Sequence, residues 1–271
     1  MLSLHNAKAK LRFLFSLFDS DALVRVNRMK KNLLLLIPIL ITLIVGLSAK
    51  GGASSPGTAT VAQQYLMNYE TTCTDFTINL TVKDAEDTQM WDANITFDPT
   101  VLEVVSAAEG PFIKSGAPLG YTFFDYVAPA GEGYIYIGAS YYYIMDQGNG
   151  VNGSGILANI TFHVLNHYKP PCPINITFIE GETILWYNNG TALDKQPCTT
   201  RDGYFTLPGD IDLQGDVDSN DLYLFARAYG TSVGNPTYDH MADFDTSGAI
   251  DFDDLILFAG KYGQEIPAPP P

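Results

Sequence analysis

The sequence predicts a mainly β protein, an antiparallel β-sandwich followed by a small all-α module. Between residues 59 and 207, short runs of alternating apolar and polar residues are separated by clusters of Gly, Pro, Asn and Asp. Such patterning is typical of the half-buried strands of a sandwich. From Asp210, and again from Asp243, an acidic loop leads into an apolar helix. With 46% apolar residues, the chain can bury a sizeable core.

Residues 1–55 have the layout of an export signal. A basic cluster that ends at Lys31 precedes an apolar run (residues 33–47) and then a stretch of small residues. The run is shorter than the ~20 apolar residues of a comfortable transmembrane helix. We therefore predict a secretory signal peptide, with a retained N-terminal anchor as the alternative. Met29 stands where an initiator would be expected, in which case residues 1–28 are an upstream extension.

Strand-like patterns continue along the middle of the chain. The clearest alternation runs over residues 75–82, where apolar side chains occupy every second position. Further strands are predicted at residues 93–97, 101–106, 121–127, 133–142, 155–164, 175–179 and 203–207. No helical period interrupts them, so they predict one antiparallel sandwich over residues 59–207. The tyrosine-rich run that begins at Tyr134 is either a carbohydrate-stacking platform or simply a strand, since aromatic residues favour strands.

Two stretches of this region resemble a cohesin domain. They are Val82-Lys-Asp-Ala with the later Trp91-Asp-Ala-Asn-Ile-Thr-Phe-Asp-Pro-Thr-Val-Leu-Glu-Val-Val, and Gly153-Ser-Gly-Ile-Leu-Ala-Asn-Ile-Thr-Phe. The resemblance covers about residues 59–207. It implies a jelly-roll-like sandwich that recognises dockerin modules through one sheet face. No short motif marks the residues of that face, so none is carried over to this chain.

The C-terminal part contains two twelve-residue loops with the ligand spacing of a calcium site. Oxygen-bearing side chains fall at positions 1, 3, 5, 9 and 12, position 7 offers its backbone carbonyl, and glycine takes the sharp turn at position 6. A hard cation needs six to eight oxygens, so we predict two bound Ca²⁺ ions. The predicted ligands are Asp210, Asp212, Gln214, Asp216, Asp218 and Asp221, then Asp243, Asp245, Ser247, Ala249, Asp251 and Asp254.

Each loop leads into a near-copy helix, Leu222-Tyr-Leu-Phe-Ala and Leu255-Ile-Leu-Phe-Ala. A duplicated loop followed by a helix resembles a type I dockerin, over residues 208–264, and leaves residues 265–271 as a Pro-rich tail. Position 5 departs from the Asp that is usual in dockerins. The resemblance implies partner contacts at positions 10 and 11, which are Ser219, Asn220, Phe252 and Asp253. Because the two pairs differ, the resemblance gives no support for binding in two symmetric orientations.

Sequons and cysteines agree with export. Six Asn-x-Ser/Thr sequons predict a glycosylated extracellular surface, at Asn79, Asn94, Asn152, Asn159, Asn175 and Asn189. The three cysteines allow one disulfide, and we predict that Cys172 pairs with Cys198 across two late strands, which leaves Cys73 over.

Charge and motif content exclude several functions. Residues 56–271 carry 28 acidic and 7 basic side chains, a net charge of −21, which repels nucleic acid. The sequence has no nucleophile elbow, phosphate loop or paired histidines, so we expect no enzyme. We expect a secreted or cell-surface protein that assembles through cohesin–dockerin contacts with modules of the same or other proteins. Membrane contact would come only through an uncleaved N-terminal segment. The alternative is a polysaccharide-binding sandwich that its dockerin attaches to a separate scaffold.

Overall fold

The computed structural model describes residues 57–64, 66–117, 120–141, 150–177, 185–188 and 193–269. The predicted signal segment and the sequon at Asn189 lie outside these residues, as do the ends of two predicted strands, 133–142 and 175–179. The described residues belong to one compact unit. Among them, no helix combines the length and the apolar character that a membrane crossing requires.

Twelve strands are present in the described part of the chain. In order they are β1 (Ala59–Gln63), β2 (Met67–Asn68), β3 (Asp75–Thr96), β4 (Leu102–Glu109), β5 (Thr122–Val127), β6 (Tyr134–Tyr141), β7 (Val151–Val164), β8 (Cys172–Thr177), β9 (Leu185–Asn188), β10 (Leu193–Gln196), β11 (Cys198–Arg201) and β12 (Gly203–Phe205). A single helical turn, α1 (Pro111–Lys114), follows β4. The sequence predicted most of the long strands but missed β1, β2, β9, β10, β11 and α1.

The strand β3 belongs to both layers of the sandwich. Its N-terminal half pairs with β1 and β7, which gives a first layer in the order β4-β7-β3-β1-β11. Its C-terminal half pairs with β6 and β8, which gives a second layer in the order β5-β6-β3-β8-β12-β2. The hairpin of β9 and β10 joins the second layer at β3. The predicted antiparallel sandwich is therefore present, with parallel pairs only at β1–β11 and β2–β12 among the described strands.

Irregular residues let β3 pass from one layer to the other. Asp84 and Asp87 have positive φ angles of 60° and 47°. The register against β7 shifts between Val82 and Ala85, and again between Ala85 and Thr88. Such bulges bend and twist a strand without ending it. The sequence predicted two separate strands here because the charged segment between them resembles a loop.

The core lies between the two layers and follows the alternation in the sequence. Leu80, Trp91 and Ile95 of β3 are fully buried, together with Phe162 of β7. Replacing a buried aromatic side chain of this size by alanine costs about 3–5 kcal/mol. The strand pattern therefore fixes which face of each strand looks outward.

The C-terminal module (residues 208–269) contains two helices, α2 (Ser219–Ala228) and α3 (Phe252–Ala259). The rings of Phe225 and Phe258 stack between them, with centroids 5.3 Å apart. This second core also includes residues of the sandwich. Its buried members are Leu66, Met67, Leu207, Ile211, Val217, Phe225, Ala228, Met241, Ala242, Ile250 and Phe258.

The segment after each helix pairs with the loop of the other repeat. Val217 of the first loop donates to the Gln264 carbonyl at 2.8 Å, and Ile266 donates to the Gly215 carbonyl at 2.9 Å. In the second loop, Ile250 donates to the Thr231 carbonyl at 2.8 Å. We call residues 230–233 and 263–266 the crossed braces. Two residues of the predicted Pro-rich tail, Glu265 and Ile266, thus pair with the first loop.

Candidate functional site

Three carboxylates converge in each C-terminal loop. The first loop brings together Asp210, Asp212 and Asp221, with ligand oxygens within 4.8 Å of one another. The second loop brings together Asp243, Asp245 and Asp254 in the same way. These are positions 1, 3 and 12 of the predicted calcium loops. Residues far apart along each loop therefore meet at one point.

Local sequence explains how each loop closes. The position-4 residues, Leu213 and Thr246, have φ angles of 60° and 58°, and the position-6 glycines, Gly215 and Gly248, have 95° and 92°. Glycine adopts positive φ without the steric cost that a Cβ brings. These turns bring positions 1 and 3 back towards the helix that follows.

The position-12 carboxylates connect each loop to its helix. Asp221 Oδ1 accepts hydrogen bonds from the backbone of Ile211 and Asp212, at 2.7 and 3.1 Å. Its Oδ2 accepts from the backbone of Asp218 at 2.8 Å, which forms a capping box at the start of α2. Asp254 makes the same three contacts in the second loop and at the start of α3. Both carboxylates are fully buried.

The other predicted ligands lie outside these two groups of carboxylates. At position 5, Gln214 is exposed, and the Ser247 hydroxyl donates to the Ala249 carbonyl at 3.1 Å. At position 9, Asp218 and Asp251 cap the helices. At position 7, Asp216 and Ala249 form bridges with the crossed braces. The structure thus brings three carboxylates together in each loop, and ligation by the residues at positions 5, 7 and 9 stays a prediction.

The electrostatics of the loops fit a cation. Burial raises the pKa of the Asp210 carboxyl, and burial together with the Asp221 carboxylate raises the pKa of Asp212. Burial also raises the pKa of Asp254. Asp243 Oδ1 is buried and accepts no hydrogen bond from any described residue. An all-oxygen donor set with an unsatisfied buried oxygen suits a hard cation such as Ca²⁺.

Large apolar side chains of the C-terminal module are exposed. Of the predicted partner-contact residues, all four are exposed, and Phe252 keeps 62% of its surface accessible. The sequence missed Tyr223 and Ile256, which are 64% and 55% exposed. Apolar residues four apart on α3, Phe252 and Ile256, were the signal that could have found this surface. Exposed apolar patches of this kind mark interaction sites.

The two outer faces of the sandwich differ in chemistry. In the first layer, outward side chains of β3 and β7 form a polar ladder, for example Thr77 with Thr161 at 2.9 Å. In the second layer, the aromatic face (Phe123, Val127, Tyr134 and Tyr136) points outward from β5 and β6. Phe123 and Val127 are 55% and 56% exposed. The rings of Tyr134 and Tyr136 lie 4.9 Å apart.

Five of the six sequons lie in described strands. Asn159 donates to Asn79, directly opposite on β3, and the Asn94 amide donates to a threonine hydroxyl of β8 at 3.0 Å. Asn175 is half-buried on β8. Asn152 is exposed on β7, and its carbonyl oxygen accepts from a backbone amide at 2.9 Å. Glycosylation of these residues stays a prediction.

The structure does not contain the predicted disulfide between Cys172 and Cys198. Cys172 lies on β8 opposite Phe205 of β12, whereas Cys198 lies on β11 opposite Ala59 of β1. The two thiols contact different carbonyl oxygens, those of Pro173 and Gln196. The strands that carry these cysteines, β8 and β11, contact each other but are not a hydrogen-bonded pair.

Comparison with known families settles the nature of the sandwich. The family model of the cohesin domain matches residues 74–201. These residues form a cohesin domain. The match runs from the end of the turn before β3 to the end of β11, so the cohesin domain includes both outer faces. The C-terminal module lies outside the matched range.

Several solved cohesin structures are similar to this chain. A non-cellulosomal cohesin from the archaeon Archaeoglobus fulgidus is 19% identical over 55% of this chain and 90% of its own, with a TM-score of 0.40. The sixth cohesin of Acetivibrio cellulolyticus scaffoldin B was solved in complex with a dockerin. It is 13% identical over 55% of this chain and 98% of its own, with a TM-score of 0.40. The cohesin of a type I cohesin–dockerin complex from Clostridium thermocellum is 12% identical over 58% of this chain and 96% of its own, with a TM-score of 0.42. None of the curated proteins compared with the chain matches it.

Proposed function

We propose that this protein is an exported, non-enzymatic scaffolding protein that assembles through calcium-dependent cohesin–dockerin contacts. The cohesin match over residues 74–201 carries the proposal. The C-terminal module supplies the second half of the pair, because its two loop–helix repeats follow the ligand spacing of type I dockerins. Molecules that carry both halves join head to tail, since a heterologous contact need not close on itself.

The aromatic face supports one choice of docking surface on the cohesin domain. Its exposed Phe123 and Val127 contrast with the hydrogen-bonded polar ladder of the other layer. Interfaces are enriched in aromatic residues at their centre, whereas a satisfied polar ladder gains little from desolvation. The aromatic face is therefore the surface that we assign to the partner.

On the C-terminal module, α3 offers the complementary apolar surface. Phe252 and Ile256 remain exposed although the module packs against the sandwich through Leu66 and Met67. The contact within the chain thus uses a different side of the module from the exposed helix surface. This leaves the surface of α3 accessible to a second molecule.

In the calcium loops, the residues that would hold the two ions are the three converging carboxylates of each repeat. When bound, Ca²⁺ supplies positive charge that removes the repulsion among these carboxylates. Asp221 and Asp254 then connect the loops to α2 and α3 through hydrogen bonds, so a closed loop orients its helix. Metal binding and ordering of the helix surface are then coupled.

The proposed contact joins two different surfaces head to tail, and this can be tested. Sedimentation of the full chain in calcium should show assemblies that grow with concentration, and monomers in chelator. Phe123→Asp removes one surface and Ile256→Asp the other, so each variant alone should stay monomeric. An equimolar mixture of the two variants should form 1:1 dimers that grow no further, because one intact surface of each kind remains. Val105→Asp, on the other layer and 52% exposed, is the matched control and should assemble normally.

Other outcomes would overturn this proposal. A wild-type chain that stays monomeric at high concentration in calcium does not assemble with itself. Phe123→Asp or Ile256→Asp chains that still assemble on their own would place the contact on other surfaces. A mixture that stays monomeric while the wild type assembles would show that the aromatic face and α3 are not partners of each other.

A polysaccharide ligand is the second candidate, favoured by the outward pair of Tyr134 and Tyr136. Paired aromatic rings on a sheet face can stack on sugars. Retention of the wild type on an insoluble polysaccharide, and loss of retention in a Tyr134→Ala/Tyr136→Ala variant, would support it. A Tyr223→Ala variant, on the C-terminal module, is the control and should be retained like the wild type.

A further inference from the structure

The sandwich and the C-terminal module share an apolar core. Leu66, directly before β2, and Met67, its first residue, are buried against the module, as is Leu207, just beyond β12. The Gly209 backbone also donates to the Met67 sulfur at 3.3 Å. The module is therefore packed directly on the strands that precede it, and its loops lie within reach of side chains outside the repeats.

In the first loop, a residue that follows β12 holds the first carboxylate. The Thr206 hydroxyl donates to Asp210 Oδ2, and both residues are fully buried. Thr206 is itself fixed to β2, because its backbone donates to the Asn68 carbonyl at 2.8 Å. The orientation of the Asp210 carboxylate is thus set by a strand pair of the sandwich.

In the second loop, a tyrosine of the inter-repeat segment has the same role. The Tyr238 hydroxyl donates to Asp243 Oδ2 at 2.5 Å. The guanidinium carbon of Arg201, at the end of β11, lies 6.0 Å from the centre of the Tyr238 ring. A cation that lies over an aromatic ring is attracted to the face of that ring, so Arg201 helps to hold the Tyr238 ring in place. The opposite oxygen, Asp243 Oδ1, is the buried atom without a partner among the described residues.

We propose that the sandwich sets the calcium affinity of both loops through Thr206 and Tyr238, which act as positioning residues for Asp210 and Asp243. This inference rests on the calcium binding proposed above. Each hydroxyl occupies Oδ2 and so fixes the direction of Oδ1. Partners that orient a metal ligand typically contribute 10- to 100-fold in metal affinity.

Coupling of this kind acts in both directions. If the docked sandwich favours calcium binding, bound calcium must favour docking by the same factor. Calcium should therefore slow amide hydrogen exchange in β2 and β12, which contain no loop residue. This protection distinguishes coupled domains from two domains that are merely neighbours.

The test is calcium titration of the full chain by calorimetry. Thr206→Val should weaken one of the two sites 10- to 100-fold, and Tyr238→Phe should weaken the other by a similar factor. Arg201→Met should weaken the same site as Tyr238→Phe, by a smaller factor. Thr199→Val and Tyr204→Phe are the matched controls and should bind both ions normally. Among the described residues, their hydroxyls make no hydrogen bond to a loop carboxylate, and the Thr199 hydroxyl donates to the Ala59 carbonyl instead.

Two further arms keep the result clear. Thr206→Ser retains the hydroxyl and should restore wild-type affinity, which separates a lost hydrogen bond from a damaged fold. In the same variants, calcium protection of β2 should fall together with affinity. Wild-type affinity in Thr206→Val and Tyr238→Phe would overturn the positioning role alone. A wild-type chain that takes up no calcium would instead overturn the proposed function itself.

Discussion

The two loops of the C-terminal module share one ligand spacing but satisfy their first carboxylate differently. In the first loop, Asp210 accepts from the backbone of Gln214 and Gly215, at 2.8 and 3.0 Å, and from Thr206. In the second loop, Asp243 accepts from Gly248 at 3.0 Å and from Tyr238, but only at Oδ2. One carboxylate is saturated by the chain, and the other keeps a bare buried oxygen.

This difference shows that a sequence repeat determines the shape of a loop but not how fully its buried carboxylate is hydrogen-bonded. The backbone angles of the turns agree closely between the loops, and the position-6 glycine donates to the first carboxylate in both. The side-chain donors, Thr206 and Tyr238, come from residues that are not repeated. A buried carboxylate oxygen without a donor costs free energy. The second loop should therefore depend more on a bound cation than the first.

The largest expected effect is the loss of a bound ion. Asp243→Asn and Asp210→Asn should each remove one of the two calcium ions. At a calcium concentration of about 1,000 times Kd, a bound ion contributes ~4 kcal/mol to folding. Calorimetry gives the stoichiometry and thermal unfolding in calcium gives the stability. Asp125→Asn, on β5, is the control, and retention of two ions in Asp243→Asn would contradict the assignment.

In chelator the same two substitutions should have opposite signs. Asp243→Asn removes a charge with a bare buried oxygen, so it should stabilise the metal-free protein by about 1 kcal/mol. Asp210→Asn breaks a satisfied group of hydrogen bonds and should destabilise it by about 1–3 kcal/mol. Urea unfolding of both variants at neutral pH would show this. Equal effects would mean that the two loops do not differ in the way described.

The crossed braces should also differ in strength. Ile266 packs in the second core, whereas its counterpart Val233 is 52% exposed. Ile266→Ala should lower the free energy of unfolding by about 1–2 kcal/mol and weaken calcium binding in the first loop. Val233→Ala should change stability by only a few tenths of a kcal/mol. Unfolding in chelator and calcium titration measure the two effects, and a larger loss in Val233→Ala would contradict the comparison.

The smallest effect is expected at position 5, where neither loop has a carboxylate. Gln214→Asp and Ser247→Asp each add a charged ligand, and calcium affinity rises with ligand charge. Each should tighten its own site several-fold, about 1 kcal/mol. Ser106→Asp adds the same charge on β4 and is the control for a general electrostatic effect. A gain as large in Ser106→Asp would show that net charge, not ligation, is responsible.

Local patterns made much of the fold predictable. Alternation located the outward and inward faces of β3, β6 and β7, and the ligand spacing located the carboxylates that converge. Strands such as β1 and β11 were missed because their pairing joins distant parts of the chain. The predicted disulfide failed for the same reason, since its two cysteines lie on strands whose neighbours the sequence does not reveal.

The candidate site shows the same boundary between local and distant information. Positions 1, 3 and 12 follow from spacing alone, because a twelve-residue loop is a local structure. Thr206 and Tyr238 could not be recognised as partners of Asp210 and Asp243 by any motif, because their positions relative to the loops are not repeated. The role of Ile266 was hidden by the prolines that follow it.

The crossed braces impose an order on the folding of the module during synthesis. A chain is made from its N-terminus, so the first loop emerges well before the residues that close it, Gln264 and Ile266. The second loop, in contrast, finds its brace already made when it appears. During synthesis the first loop therefore lacks its brace until the second helix has followed it. A partner can meet a finished first loop only on a molecule whose second repeat has been completed.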